Sequence, residues 1–188
     1  MRADAMRNRE ALVSAAAAVL ADSGLDASVA EIAASAGVAK GTVFRHFASK
    51  EELVTTVVAR LVEGLAERAE ELLAMSDPMA ALSEFVAAGT ELQASDRAFC
   101  QMAASAELTA PGLAERRERL EEIADLLARR AQDAGLVRPG LTGRDVVGLM
   151  TAAYQGACAT GDPGRWPWFH AVMVEGLRTT DHGPHESP

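Results

Sequence analysis

The chain has 188 residues, 49% of them hydrophobic and 4% aromatic, with a formal net charge of -9. Its length and apolar content suffice for a sizeable buried core. The acidic balance means that only a locally basic part can approach a polyanion such as nucleic acid.

Abundant Ala, Leu, Glu and Arg with few aromatic residues favour helix over strand, so the expected fold class is all-α. No apolar run reaches the roughly 18–20 residues of a bilayer span. The N-terminal MRADAMRNREAL also lacks the apolar centre of a signal peptide. A cytoplasmic protein without a membrane partner is expected. Cys100 and Cys158 lie far apart and match no metal spacing. In a reducing compartment they read as small apolar residues, with a redox sensor or adduct site as the alternative. No metal and no cofactor are expected.

In chain order, Leu12, Ala16, Val19 and Leu20 recur at i, i+4, i+7 and i+8 and predict a first helix that stops at Gly24. Ser28 and Glu31 form a capping box for a short helix from Val29 to about Ala36. Gly37 can take the positive φ of a sharp turn, and Val43 and Phe47 point the next short helix inward. Ala33, Gly37 and Val43 stand where a helix-turn-helix needs a small residue, a turn glycine and an apolar anchor, so residues 28–47 form that unit. Ser49 and Glu52 repeat the capping device ahead of a long helix bearing Leu53, Val57, Leu61 and Leu65. Residues 7–66 thus make a three-helix head joined to a long helix.

Residues 67–188 form a second, helical part. Asp77 and Pro78 open a helix through Leu82, Phe85, Val86 and Gly89 to about Ala94. Another is expected from Asp96 to Leu108. A long one carries Leu113, Leu120, Ile123, Leu127 and Ala131 inward and closes at Gly135. Thr142 and Asp145 start the next, and WFHAVMVEGLRT makes the last. Residues 181–188 read as a disordered tail.

Both lysines of the chain, Lys40 and Lys50, lie within GVAKGTVFRHFASKEEL. Residues 1–50 carry six basic and five acidic groups, whereas the remainder carries 12 basic and 22 acidic. The head alone can therefore meet DNA. The exposed positions of the second helix of the unit are Lys40, Gly41, Thr42, Phe44, Arg45 and His46. Lys40 suits a phosphate or a guanine edge, Thr42 a base or phosphate, and Gly41 lets the backbone come close. Lys50 opens a helix whose N-terminal partial charge it reinforces, a phosphate clamp; Ser28 and Arg9 are further phosphate candidates.

The run SVAEIAASAGVAKGTVFRHFASKEELV, preceded by REALVSAAAAVLADSGLD, resembles the TetR family of transcriptional regulators over the first third of the chain. The resemblance implies an all-helical homodimer with a DNA-binding head and a divergent C-terminal domain that binds a small-molecule effector. It also implies that Ser28, Lys40, Thr42, Phe44, His46 and Lys50 face double-stranded DNA. Position 39, often Ser or Thr in the family, is Ala39 here and loses a helix cap. Position 44, usually Tyr, is Phe44 and forfeits a hydroxyl.

In the second part, Phe85, Phe99, Met102, Met150 and Tyr154 are spaced to face one interior. Two readings of these five stand: they line a cavity for an apolar or aromatic molecule, or they fill the core. Val146, Val147, Met150 and Ala153, with Phe169, Val172, Met173 and Leu177, offer apolar stripes for a two-fold dimer. Two recognition helices about 34–36 Å apart, or a multiple, then require a near-palindromic operator. No nucleophile elbow, phosphate loop or zinc spacing points to an enzyme. A helical adaptor that binds a protein through the same head is the other rival.

Overall fold

The computed structural model describes residues 2–105 and 112–179. Among them run nine α-helices: α1 (Arg2–Ser23), α2 (Val29–Ser35), α3 (Lys40–His46), α4 (Lys50–Leu72), α5 (Pro78–Ser95), α6 (Arg97–Ala103), α7 (Ala114–Asp133), α8 (Gly143–Ala159) and α9 (Trp166–Leu177). Turns of 3-10 helix occupy Gly24–Asp26 and Pro163–Arg165. The fold is all-α, as expected, apart from an isolated antiparallel bridge between Val137 and Arg178 that pins the end of α9 to the α7–α8 connection.

Local signals set the helix starts. Ser28 Oγ accepts from the Glu31 amide at 3.2 Å while Glu31 Oε2 accepts from the Ser28 amide at 2.6 Å. Such a cap stabilises a helix by about 1 kcal/mol. Thr142 and Asp145 repeat the reciprocal pair at α8. At α4 the device differs from expectation: Ser49 accepts from Glu52, but the Glu52 carboxylate reaches the Ala48 amide, one residue before the cap. Asp77 accepts from the amides of Met79 and Ala80, with Pro78 in the first turn, where a missing N–H costs nothing. Gly37 turns the chain at φ +65°. The expected end of α6 at Leu108 and the tail at 181–188 lie outside the described residues.

Leu12, Val13, Ala16, Leu20, Ile32, Val43, Phe47 and Leu53 close the core of the head. In the second part α7 packs on α4 and α8, and α5 packs on α8, around Phe85, Leu82, Leu120, Leu127, Val146 and Met150. A fully buried side chain of this size contributes roughly 1.5–3 kcal/mol. α4 belongs to both cores, so its 23 residues form a continuous strut between them.

The apolar stripe proposed on α8 is corrected by the structure. Val146, Met150 and Ala153 are buried within the protomer against α5 and α7. They follow the i, i+4, i+7 spacing of one face, and only Val147 of that set is half-exposed. The outward apolar surface is instead on α9, where Trp168 and Val172 are 54% and 51% exposed. Phe169 lies over Gly156 of α8, where a Cβ would sit 2.9 Å from its ring. Leu177 is buried.

Candidate nucleic-acid interface and ligand chamber

α3 has two faces. Val43 and the following Phe47 are each 1% exposed and anchor it in the core of the head, while Lys40, Gly41, Phe44 and Arg45 face solvent. Thr42 and His46 are half-buried at the edge of that exposed face. Ala39 offers no side-chain cap, as its methyl group requires. The Lys40 ammonium lies 6.0 Å from the centre of the Phe44 ring, at the outer limit of a cation–π contact. Nothing lies within 4 Å of the point where a Cβ on Gly41 would sit.

The neighbouring helix starts complete this end of the molecule. Ser28 is exposed at the start of α2, and Glu31 has its carboxyl held below the usual range by the Ser28 amide and then its hydroxyl. Lys50 behaves differently from a free clamp: its ammonium donates to the carbonyl of Leu25 at 2.5 Å. Arg9 stacks on Phe47, with its guanidinium carbon 4.6 Å from the ring centre.

The second part holds a chamber of about 310 Å³ between α4, α5, α6, α7 and α8. Its apolar wall includes Val62, Leu65, Phe99, Leu120, Val147 and Met150. Of the five residues expected to face one interior, Phe99 and Met150 are among those lining this space. Phe85 and Met102, 0% and 3% exposed, pack into the core and are not among the lining residues. Tyr154 also lies off the chamber, half-buried, its hydroxyl pushed up by burial and then by a hydrogen bond with Cys158. Helical spacing shows that a side chain turns inward, and it does not say whether it meets another side chain or a void.

Polar residues of the chamber escaped the sequence reading. Gln93 of α5 is 3% exposed, and its Nε2 donates to Thr151 Oγ1 of α8 at 3.4 Å. The signal was present: Leu82, Val86 and Gly89 lead to Gln93 along one buried face, where an amide is out of place. Gly89 admits the thioether of Met150; a Cβ there would sit 2.3 Å from Sδ. At the rim, Arg117 and Arg144 share the carboxylate of Glu121, at 2.9 and 3.5 Å.

A larger opening of about 540 Å³ lies between α1, α4 and the first turn of α7 with the segment before it. It is a polar surface cleft spanned by ion pairs, Arg60 with Glu10 and Arg116 with Glu63. Cys100 and Cys158 are free and half-buried. Burial, followed by the neighbouring Cys158, raises the Cys100 thiol above its usual range, which keeps it protonated near neutral pH. Among the described residues, no helix is long and apolar enough to cross a membrane.

A family model for bacterial regulatory proteins of the tetR family matches residues 12–57, and one for the C-terminal domain of SbtR-like transcriptional regulators matches residues 77–179. The HTH-type transcriptional repressor KstR2 of Mycolicibacterium smegmatis is 39% identical over 66 residues, or 35% of this chain. That match spans 32% of the repressor, about a third of its length. The crystal structure of a TetR transcription regulatory protein from Mycobacterium vanbaalenii is 31% identical, covering 95% of this chain and 99% of its own, with a TM-score of 0.58. FadR of Bacillus subtilis, solved with stearoyl-CoA, shares the fold at 20% identity, covering 89% and 98% with a TM-score of 0.67. These relatives lend the protein-binding adaptor no support. With one family model spanning more than half of its length and another spanning the head, the chain belongs to the TetR family of bacterial regulatory proteins.

Proposed function

We propose that the chain is a dimeric, cytoplasmic repressor that binds a near-palindromic DNA operator and leaves it when a small, mostly apolar molecule occupies the chamber. The observation that carries the DNA reading is the exposed face of α3, where Lys40, Gly41, Phe44 and Arg45 lie together. A glycine inside a helix costs up to about 1 kcal/mol relative to alanine, and no described residue lies within 4 Å of where a Cβ on Gly41 would sit. That leaves room on this face for close approach of a DNA backbone or base. Lys40 and Arg45 on the same exposed face supply charge for phosphates, and Thr42 at its edge supplies a hydrogen-bonding group. Lys50 contributes field at the start of α4 while tied to Leu25, and Ser28, exposed at the start of α2, offers its hydroxyl.

The apolar surface of α9 supports pairing through a two-fold axis. Release follows from α4, which carries Val62 and Leu65 of the chamber wall and continues to the head. A ligand that fits one arrangement of α4 better than the other shifts the population of head spacings. FadR, solved in complex with stearoyl-CoA, supports ligand binding by a protein of this fold.

The test is fluorescence anisotropy against DNA from either side of the protein's own gene, and against a random-sequence selection, over a salt series. Saturable binding that weakens with salt is expected, and Lys40→Ala should lower the salt slope by about 2, one contact in each head of the dimer. Failure to enrich any sequence, or affinity indifferent to salt and to Lys40, would overturn the reading.

A further inference from the structure

The chamber's polar groups restrict what it can hold. Gln93 Oε1 is buried without a hydrogen-bond partner, one of two such side-chain atoms among the described residues. The other, Arg130 Nη1, lies near the far end of α7, where Nη2 of the same group donates to Met75 O. The Gln93 amide is oriented by its Nε2, which donates to Thr151 Oγ1 across the chamber wall. The carbonyl oxygen is thus left unpaired on a residue of the chamber wall. A molecule that reaches this oxygen with a donor supplies the hydrogen bond that the fold leaves unmade, a gain comparable to the cost of a buried unpaired acceptor.

The charge pattern narrows the donor. Among the described residues, no carboxylate belongs to those lining the chamber, so an ammonium group would meet no counter-charge from them. An anion placed at Gln93 would face its carbonyl oxygen. The guanidiniums of Arg117 and Arg144 stand at the rim and are engaged with Glu121. A neutral hydroxyl meets both demands. It donates to Gln93 Oε1, and its own oxygen can accept the proton of Thr151.

We propose that the chamber selects a neutral, hydroxyl-bearing molecule whose apolar body lies between Phe99, Leu120 and Met150 and whose hydroxyl donates to Gln93 Oε1. At about 310 Å³ the space lies at the small end of the ~300–1,000 Å³ range of ligand pockets, which suits a compact body. This inference rests on the chamber being the effector site and adds the chemistry of the effector.

Isothermal titration of the full chain with matched probes tests it. Three bodies, naphthalene, tert-butylbenzene and n-octane, are each presented as the alcohol or phenol, the methyl ether and the carboxylate. The hydroxyl form of whichever body binds should be about tenfold tighter than its ether. Gln93→Leu, close in size, should erase that ratio while leaving the ether bound at least as well. Circular dichroism and melting confirm that the variant is folded. Equal affinity for hydroxyl and ether in the wild type, a preference for the carboxylate, or a hydroxyl preference that survives Gln93→Leu would each overturn the donor assignment and leave the chamber reading intact. Binding of no probe on any body would overturn both.

Discussion

Gly143, the first residue of α8, is buried against the backbone of α7. A Cβ there would lie 1.9 Å from the carbonyl oxygen of Glu121 and 2.6 Å from the amide nitrogen of Asp125. Neither atom can rotate away, because both belong to helix backbone. Gly143→Ala therefore has to part α7 from α8 by roughly 1 Å, in a region packed as densely as a crystal. Overpacking of this kind costs about 1–3 kcal/mol. The separation also strains the 3.1 Å hydrogen bond from the Gly143 amide to Asp125 Oδ1, and bonds to charged groups carry about 1.5–3 kcal/mol. A net loss near 3 kcal/mol lowers Tm by roughly 6–12 °C for a domain of this size. The control is the same substitution at Gly64, exposed in α4 with nothing within 4 Å of its would-be Cβ. There the gain in helix propensity should raise stability by about 1 kcal/mol. Calorimetry at one protein concentration measures both. A Gly143→Ala melting point within 2 °C or so of wild type, or a Gly64→Ala protein that melts lower, would refute the steric reasoning.

Two other perturbations probe the second part. Asp96 caps α6 through the Phe99 amide at 2.8 Å and is 6% exposed; burial raises its carboxyl, against the amides of Phe99 and Ala98, which lower it. The folded protein then holds this proton to higher pH than the unfolded chain, so its contribution to stability is lost as pH rises through the folded value. Asp96→Asn should be the more stable protein near neutral pH, with the difference closing as pH falls towards 3.8; urea melts showing a constant difference or the opposite sign would contradict this. Val172→Glu places a charge on the exposed apolar surface of α9 and should weaken the dimer at least ~100-fold, about 3 kcal/mol. Sedimentation velocity reads that change, and an unchanged dimer would place the interface elsewhere.

The head was legible because its signals are local. Ser28 and Glu31 are three residues apart, and the turn at Gly37 needs only the residue that tolerates its φ. The fate of Lys50 was not legible, since its partner, the Leu25 carbonyl, is 25 residues away and is exposed to it only by folding. The chamber depended on longer reach still. Gln93 and Thr151 meet across 58 residues, and nothing in periodicity separates Phe99, which borders space, from Phe85, which does not. α8 misled for a third reason: it bears apolar groups around much of its circumference, so spacing alone could not choose between the face for α5 and α7 and a face for a second protomer.

The seam between α1 and α6 bears on how such a protein can be taken apart. Gly24, at φ +68°, brings the α1–α2 turn so close to α6 that a Cβ would meet Gln101 Oε1 at 2.5 Å. The next peptide is gripped from both sides: the Leu25 amide donates to Gln101 at 2.7 Å, and its carbonyl accepts from Lys50. Residues 7–66, contiguous in the sequence, are consequently tied to α6 in space. Severed there, the turn loses the acceptor for a partly buried N–H, and α1 loses the helix it rests on. A graft of this head onto another body carries its geometry only if the recipient presents an equivalent of Gln101, so the smallest exchangeable unit includes α6.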